Sequence, residues 1–192
     1  MPTVPVFLDF ACPWSYSARN REKQLARELD VTIEYLPWEL NPGLSAEGKA
    51  NPYAQPSEEL LAFARASATP LKPRAWVHNT HRLLAGLFFA RAHGRYDAYV
   101  DRAFKAYWEE QADVNDPAVL RTVARDSGLD PDAFLASATA SHWDPHFLAV
   151  DAWAEALGVK STVTYVLPGG TPRIFQGLGD YEDLRQAVKR SL

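Results

Sequence analysis

Val4-Pro5-Val6-Phe7-Leu8-Asp9-Phe10-Ala11-Cys12-Pro13-Trp14-Ser15 is the stretch on which the reading turns. Val4 to Phe10 is a short apolar run, the length of a buried strand rather than of a helix. Cys12 and Pro13 follow at once. Pro13 suits the first turn of a helix, where its missing N–H would have no partner anyway. A helix is expected from about Trp14 to Leu29, with Leu25 and Leu29 on one face. Val31 to Leu36 then alternates like a second strand. The first 37 residues therefore read β-α-β, a unit that favours a parallel pair with a right-handed crossover.

Outward from there, residues 41–56 form a loop carrying Pro42, Gly43, Gly48, Pro52 and Pro56. Ser57 opens a long helical block. Helices are expected from Ser57, over Trp76 to Ala92, over Tyr96 to Gln111, from Asp116-Pro117, from Asp130-Pro131, and over Trp143 to Leu157. Thr162 to Leu167 is β-rich, Pro168-Gly169-Gly170-Thr171 is a turn, and Pro172 to Phe175 returns as a hairpin strand. Asp180 caps a C-terminal helix. The order is β-α-β, a helical block, then β-β-α. That is an α/β, thioredoxin-like order: residues 1–40 and 158–192 make the thioredoxin-like part, about 57–157 a large α-helical insertion, and 1–192 a single domain.

Composition narrows the function. The chain has 192 residues, and 20 Lys and Arg against 24 Asp and Glu give a net charge of −4. With no basic block, nucleic acid is not an expected partner. No window approaches the roughly 18 consecutive apolar residues of a membrane span. No targeting segment is legible at the N-terminus, so the reducing cytoplasm is the expected compartment. One cysteine excludes an intramolecular disulfide.

That cysteine, Cys12, sits at the entrance of a helix, where unpaired N–H groups and partial positive charge favour a thiolate. Its pKa is expected below the free value of about 8.5. Ser15, three residues on, offers a hydroxyl to the sulfur. The competing reading is a small buried hydrophobe. His142 and His146 stand one helical turn apart without a marked third ligand, and no metal site is read there.

The segment from Phe7 to Tyr16 resembles the active-site segment of the DsbA-like thioredoxin-fold proteins. The nearest likeness is to FrnE-type oxidoreductases, 2-hydroxychromene-2-carboxylate isomerases and kappa-class glutathione transferases. The first have D-x-x-C-P-W-C-Y; the other two have a Ser-Pro-Tyr-Ser version. This chain is intermediate, keeping the first Cys and carrying Ser15 at the second. Further matching stretches are Asn79 to Leu84, Phe104 to Glu110 with Asp113, Val114, Asp116 and Leu120, then Gly128-Leu129-Asp130. Near the end come Ile174 to Gly177 with Tyr181, Glu182 and Leu184. The likeness spans nearly the whole chain, and it implies the DsbA-like fold and thiol chemistry.

Two departures qualify the chemistry. Without a resolving thiol, exchange through Cys12 must be monothiol, with an external thiol such as glutathione releasing the mixed disulfide. In the facing loop the family carries a cis-proline where this chain has Val163. A cis bond before a non-proline residue costs about 2.5–4 kcal/mol, so a trans Thr162–Val163 bond is expected. The leading reading is a DsbA-family oxidoreductase-like protein acting on thiols or disulfides, with Cys12 as nucleophile and Ser15 donating to it. The alternatives are a glutathione-dependent isomerase or transferase and a non-catalytic binding module. Pro13, Trp14, Tyr16, Trp38, Asn41, Trp76, His81, Thr162 and Val163 are the candidate substrate-binding residues, each aromatic one weighed against plain core packing. No tightly bound cofactor is expected; glutathione or another low-molecular-weight thiol is the candidate co-substrate. The partner is a small-molecule thiol or disulfide, or a protein disulfide, and analogy with kappa-type relatives allows a homodimer.

Overall fold

The computed structural model describes residues 1–176 and 179–192, so Gly177 of the last matching stretch lies outside it. Strand β1 (Thr3–Leu8) leads into helix α1 (Pro13–Leu29) and strand β2 (Thr32–Pro37). A short strand β3 (Lys49–Ala50) precedes α2 (Glu58–Ala66) and β4 (Trp76–Val77). The helical block continues with α3 (His81–Ala92), α4 (Tyr96–Phe104), α5 (Pro117–Asp126), α6 (Pro131–Ala138) and α7 (Asp144–Leu157). Strands β5 (Thr164–Leu167) and β6 (Arg173–Gln176) and helix α8 (Tyr181–Lys189) close the chain.

Among the described residues, one sheet has the order β2-β1-β5-β6. β1 runs parallel to β2, Thr3 opposite Thr32, and β5 runs antiparallel to both β1 and β6. Alternation explains why β1 is apolar throughout: successive side chains leave opposite faces. Val4, Val6 and Leu8 join the large core under α1, α3 and α4, whereas Phe7 meets Val150 and Ala154 of α7. No helix of the described residues is long and apolar enough to cross a membrane.

Two expected helices differ. The one over Trp76 to Ala92 begins only at His81, because Trp76 and Val77 pair with Ala50 and Lys49 in a second, two-stranded sheet. Asn79 then turns the chain, its side-chain oxygen accepting from the His81 N–H at 2.8 Å. The helix over Tyr96 to Gln111 is α only to Phe104. Lys105–Glu109 widens to a π turn, with the Glu110 N–H donating to the Lys105 carbonyl at 3.0 Å. A π turn rotates the side chains it carries relative to the α-helix, here Tyr107 and Trp108.

Candidate active site

Cys12 is the N-cap of α1, with extended backbone angles (φ −82°, ψ 116°). Its sulfur accepts from the Ser15 N–H at 3.5 Å and its S–H donates to the Thr162 carbonyl at 3.3 Å. The residue is 2% exposed. Burial pushes the Cys12 thiol up from its ordinary value, and the hydrogen bonds at the helix end offset this only in part. The expected depressed pKa is therefore corrected: the helix terminus is present, but loss of hydration outweighs it.

The facing loop brings a second correction. The Thr162–Val163 peptide is cis, not trans. The expectation weighed only the intrinsic preference of the bond. Tertiary contacts override it: Val163 is buried in the main core, and the Thr162 carbonyl receives the Cys12 thiol.

A cleft of about 600 Å³ opens above the sulfur. Of the residues singled out in the sequence, Cys12, Pro13, Trp14, Asn41 and Thr162 line it together. The others lie elsewhere. Ser15 is buried beside Cys12, but among the described residues its hydroxyl has no hydrogen-bond partner, so the expected donation to the sulfur comes from its backbone N–H instead; the Thr162 hydroxyl has no partner there either. Tyr16 donates to Glu109 at 3.1 Å and stacks on Trp108. Trp38 packs against the smaller core beside Phe7. His81 bonds Glu39 and stacks on Phe147. Trp76 is 44% exposed, its indole N–H donating to the Glu47 carbonyl. His142 and His146 pack on Trp143.

The structure adds residues that the sequence reading passed over. Tyr107 and Trp108 wall the cleft from the π turn, and the Trp108 indole donates to the Phe10 carbonyl at 2.9 Å, bracing the Cys12 loop. Among the described residues, Lys49, Lys72 and Arg74 supply the cleft's charged side chains, and no Asp or Glu lines it. Lys72 bonds the Glu109 carbonyl and Lys49 the Asn41 side chain, both neutral acceptors. Arg74 is buried, donating to the carbonyls of Trp76, Tyr107 and Ala112. Three cations thus stand at the cleft of an acidic protein, the Arg74 charge facing Asp113 as well.

Residues 3–189 match the DSBA-like thioredoxin domain family, and the chain belongs to it. It is 29% identical over 141 residues to the 2-hydroxychromene-2-carboxylate isomerase of Sphingobium xenophagum, covering 68% of this chain and 71% of that one. A Streptomyces coelicolor structure described as a probable DsbA oxidoreductase superposes with a TM-score of 0.81 at 23% identity, covering 100% of this chain and 90% of that one. The cytosolic disulfide reductase DsbM of Pseudomonas aeruginosa, solved with GSH, superposes with a TM-score of 0.73 at 18% identity, covering 98% of each. Class and fold are thus those of a DsbA-like thioredoxin domain, with oxidoreductases and isomerases among its relatives.

Proposed function

We propose that this protein is a glutathione-dependent isomerase or transferase, in which the reactive sulfur is that of the bound small thiol. The observation that carries the reading is the cleft above Cys12, whose charged side chains are all cations. Glutathione brings two carboxylates and one ammonium, so its net charge complements Lys49, Lys72 and Arg74. Its sulfur reaches the end of α1, where the helix dipole favours a thiolate. Cys12, a buried neutral thiol, turns its S–H from the Thr162 carbonyl to the bound sulfur and serves there as a hydrogen-bond donor rather than a nucleophile. Trp14, Tyr107 and Trp108 give an apolar body of substrate somewhere to lie. The bound thiolate adds to a conjugated double bond, the weakened bond rotates, and the thiolate leaves. The sequence likeness to the isomerases and the GSH in the DsbM structure both support this reading. A single-cysteine protein of this kind works where the thiol pool is reduced.

A second reading has its own observation: the Cys12 sulfur accepts the Ser15 N–H at the helix end. Under it, the Cys12 thiolate displaces one thiolate from a disulfide, and glutathione then displaces Cys12 from the mixed disulfide. The test is calorimetric titration with glutathione, followed by ultraviolet assay of 2-hydroxychromene-2-carboxylate with and without glutathione. Saturable binding and thiol-dependent turnover that survive Cys12→Ser support the first reading. Disulfide turnover abolished by Cys12→Ser supports the second; no glutathione binding refutes the first, and no disulfide turnover refutes the second.

A further inference from the structure

Asp9 is 1% exposed and, among the described residues, pairs with no cation. An unpaired carboxylate so deep is costly unless every lone pair finds a donor. Here the donors come from three separate segments. The Ala11 N–H donates to Oδ1 at 2.9 Å, the Thr80 hydroxyl to Oδ1 at 2.6 Å, and the Leu40 N–H to Oδ2 at 2.7 Å. The Asp9 carbonyl also accepts from the Cys12 N–H at 3.0 Å. One residue thus joins the Cys12 loop, the chain leaving β2, and the start of α3. Ala11 and Leu40 are themselves cleft walls. Thr80 precedes α3 but makes no side-chain cap for it; its hydroxyl is given to Asp9 instead.

We infer that Asp9 is the positioning residue of this site, holding the Cys12 loop against the Leu40 wall and the start of α3, with its charge adding to the burial that opposes ionisation of the Cys12 sulfur. The inference deepens the reading above, since a Cys12 that stays protonated leaves the bound thiol as the ionised sulfur. Negative charge fixed near a thiol opposes its ionisation. The ionisable groups nearest Asp9 are Cys12, Glu39 and Tyr107, with Arg74 beyond them over the Tyr107 ring and His81 bonded to Glu39. Glu39 is a second acid and Tyr107 a buried phenol, and neither supplies positive charge to cancel Asp9. The three donors around the carboxylate favour its charged form, while burial opposes it and pushes its pKa up.

The test is the pH profile of Cys12 alkylation by iodoacetamide without glutathione, so it stands or falls apart from glutathione binding. Asp9→Asn removes the charge and should move the profile to lower pH, making alkylation at neutral pH roughly threefold to tenfold faster. Thr80→Val removes a donor that favours the charged carboxylate, so Asp9 holds its proton more readily and the profile should move to lower pH, as with Asp9→Asn, and Thr80→Ser should restore it. The Thr80 pair decides the matter if Asp9→Asn does not fold. A folded Asp9→Asn with an unchanged or slower profile overturns the inference, as does a Thr80→Val profile that matches wild type.

Discussion

A sulfur at a helix N-terminus is under two opposed influences, and at Cys12 the magnitudes decide. The terminus contributes about 0.3–1 kcal/mol in ordinary settings, up to about 2 when partly buried. Complete burial shifts thiols by more than that. Cys12 alkylation should therefore stay slow at neutral pH and rise only above about 8.5, the free-cysteine value. Stopped-flow or mass-spectrometric alkylation across a pH series measures this, and a midpoint below the free value would return Cys12 to the nucleophile's role. The neighbouring cations are not interchangeable. Lys72 and Lys49 reach the cleft through single bonds to neutral acceptors, so Lys72→Ala or Lys49→Ala should weaken glutathione roughly twofold to fivefold and leave stability unchanged. Arg74 holds three carbonyls, two of them on either side of the π turn's end, and Arg74→Met should lower the melting temperature before it says anything about binding. Calorimetry on the three variants separates the two behaviours; equal losses of stability would remove the distinction.

The same contest between local preference and packing governs the elements. Gly86 lies inside α3, where glycine costs about 1 kcal/mol relative to alanine. A Cβ there would stand 2.2 Å from the Tyr99 hydroxyl and 2.7 Å from the Phe134 ring. Tyr99 is fixed by its bond to the Leu83 carbonyl, and Phe134 is fully buried, so neither has room to yield. Overpacking of this kind typically costs about 1–3 kcal/mol, which outweighs the propensity gain. Gly86→Ala should be destabilised in thermal melts, and a stabilised variant would mean that α4 and α6 slide easily against α3. Elements were legible where local chemistry and packing agree. The strand before Cys12, the Pro13 helix start, the Asp116 and Asp130 caps and the β5–β6 hairpin all carry their own signals. They failed where a distant partner decides. Trp76 and Val77 read as helix until Lys49 and Ala50 pair with them, and the π turn has no mark in the periodicity of residues 96–111. The same holds for the site. Cys12, Pro13 and Trp14 are contiguous in the chain and were legible; Asn41 came from its place past the C-terminal end of the second strand, and Thr162 through the family likeness of the facing loop. Lys49, Lys72 and Arg74 sit in segments readable only as loop and helix breakers, and the fold alone brings them to one cleft.

At the scale of the whole molecule, one buried network ties the sheet to the helical block. Glu22 of α1 accepts from the hydroxyls of Tyr35 on β2, at 2.6 Å, and Tyr165 on β5, at 3.1 Å. Arg19 donates to the same Tyr35 oxygen at 2.6 Å and pairs with Asp97 and Asp101 of α4, each at 2.8 Å. Burial is the largest influence on Glu22 and raises its pKa above the ordinary 4.5, with the tyrosines and Arg19 opposing. The sign for stability follows. Below the ordinary value both folded and unfolded chains hold the proton, and nothing changes with pH. Between the ordinary value and the raised one, the folded chain keeps a proton that the unfolded chain has lost, so stability falls as pH rises. One group contributes at most about 1.4 kcal/mol per pH unit to that slope. Glu22→Gln preserves one acceptor for a tyrosine and removes the titration. Its stability should therefore improve relative to wild type as pH is raised from the ordinary glutamate value toward neutrality. Urea unfolding of both proteins in half-unit pH steps gives the difference directly. If wild type instead gains on Glu22→Gln over that range, Arg19 holds Glu22 as a stabilised carboxylate, and the network acts as an ion pair rather than as a buried acid.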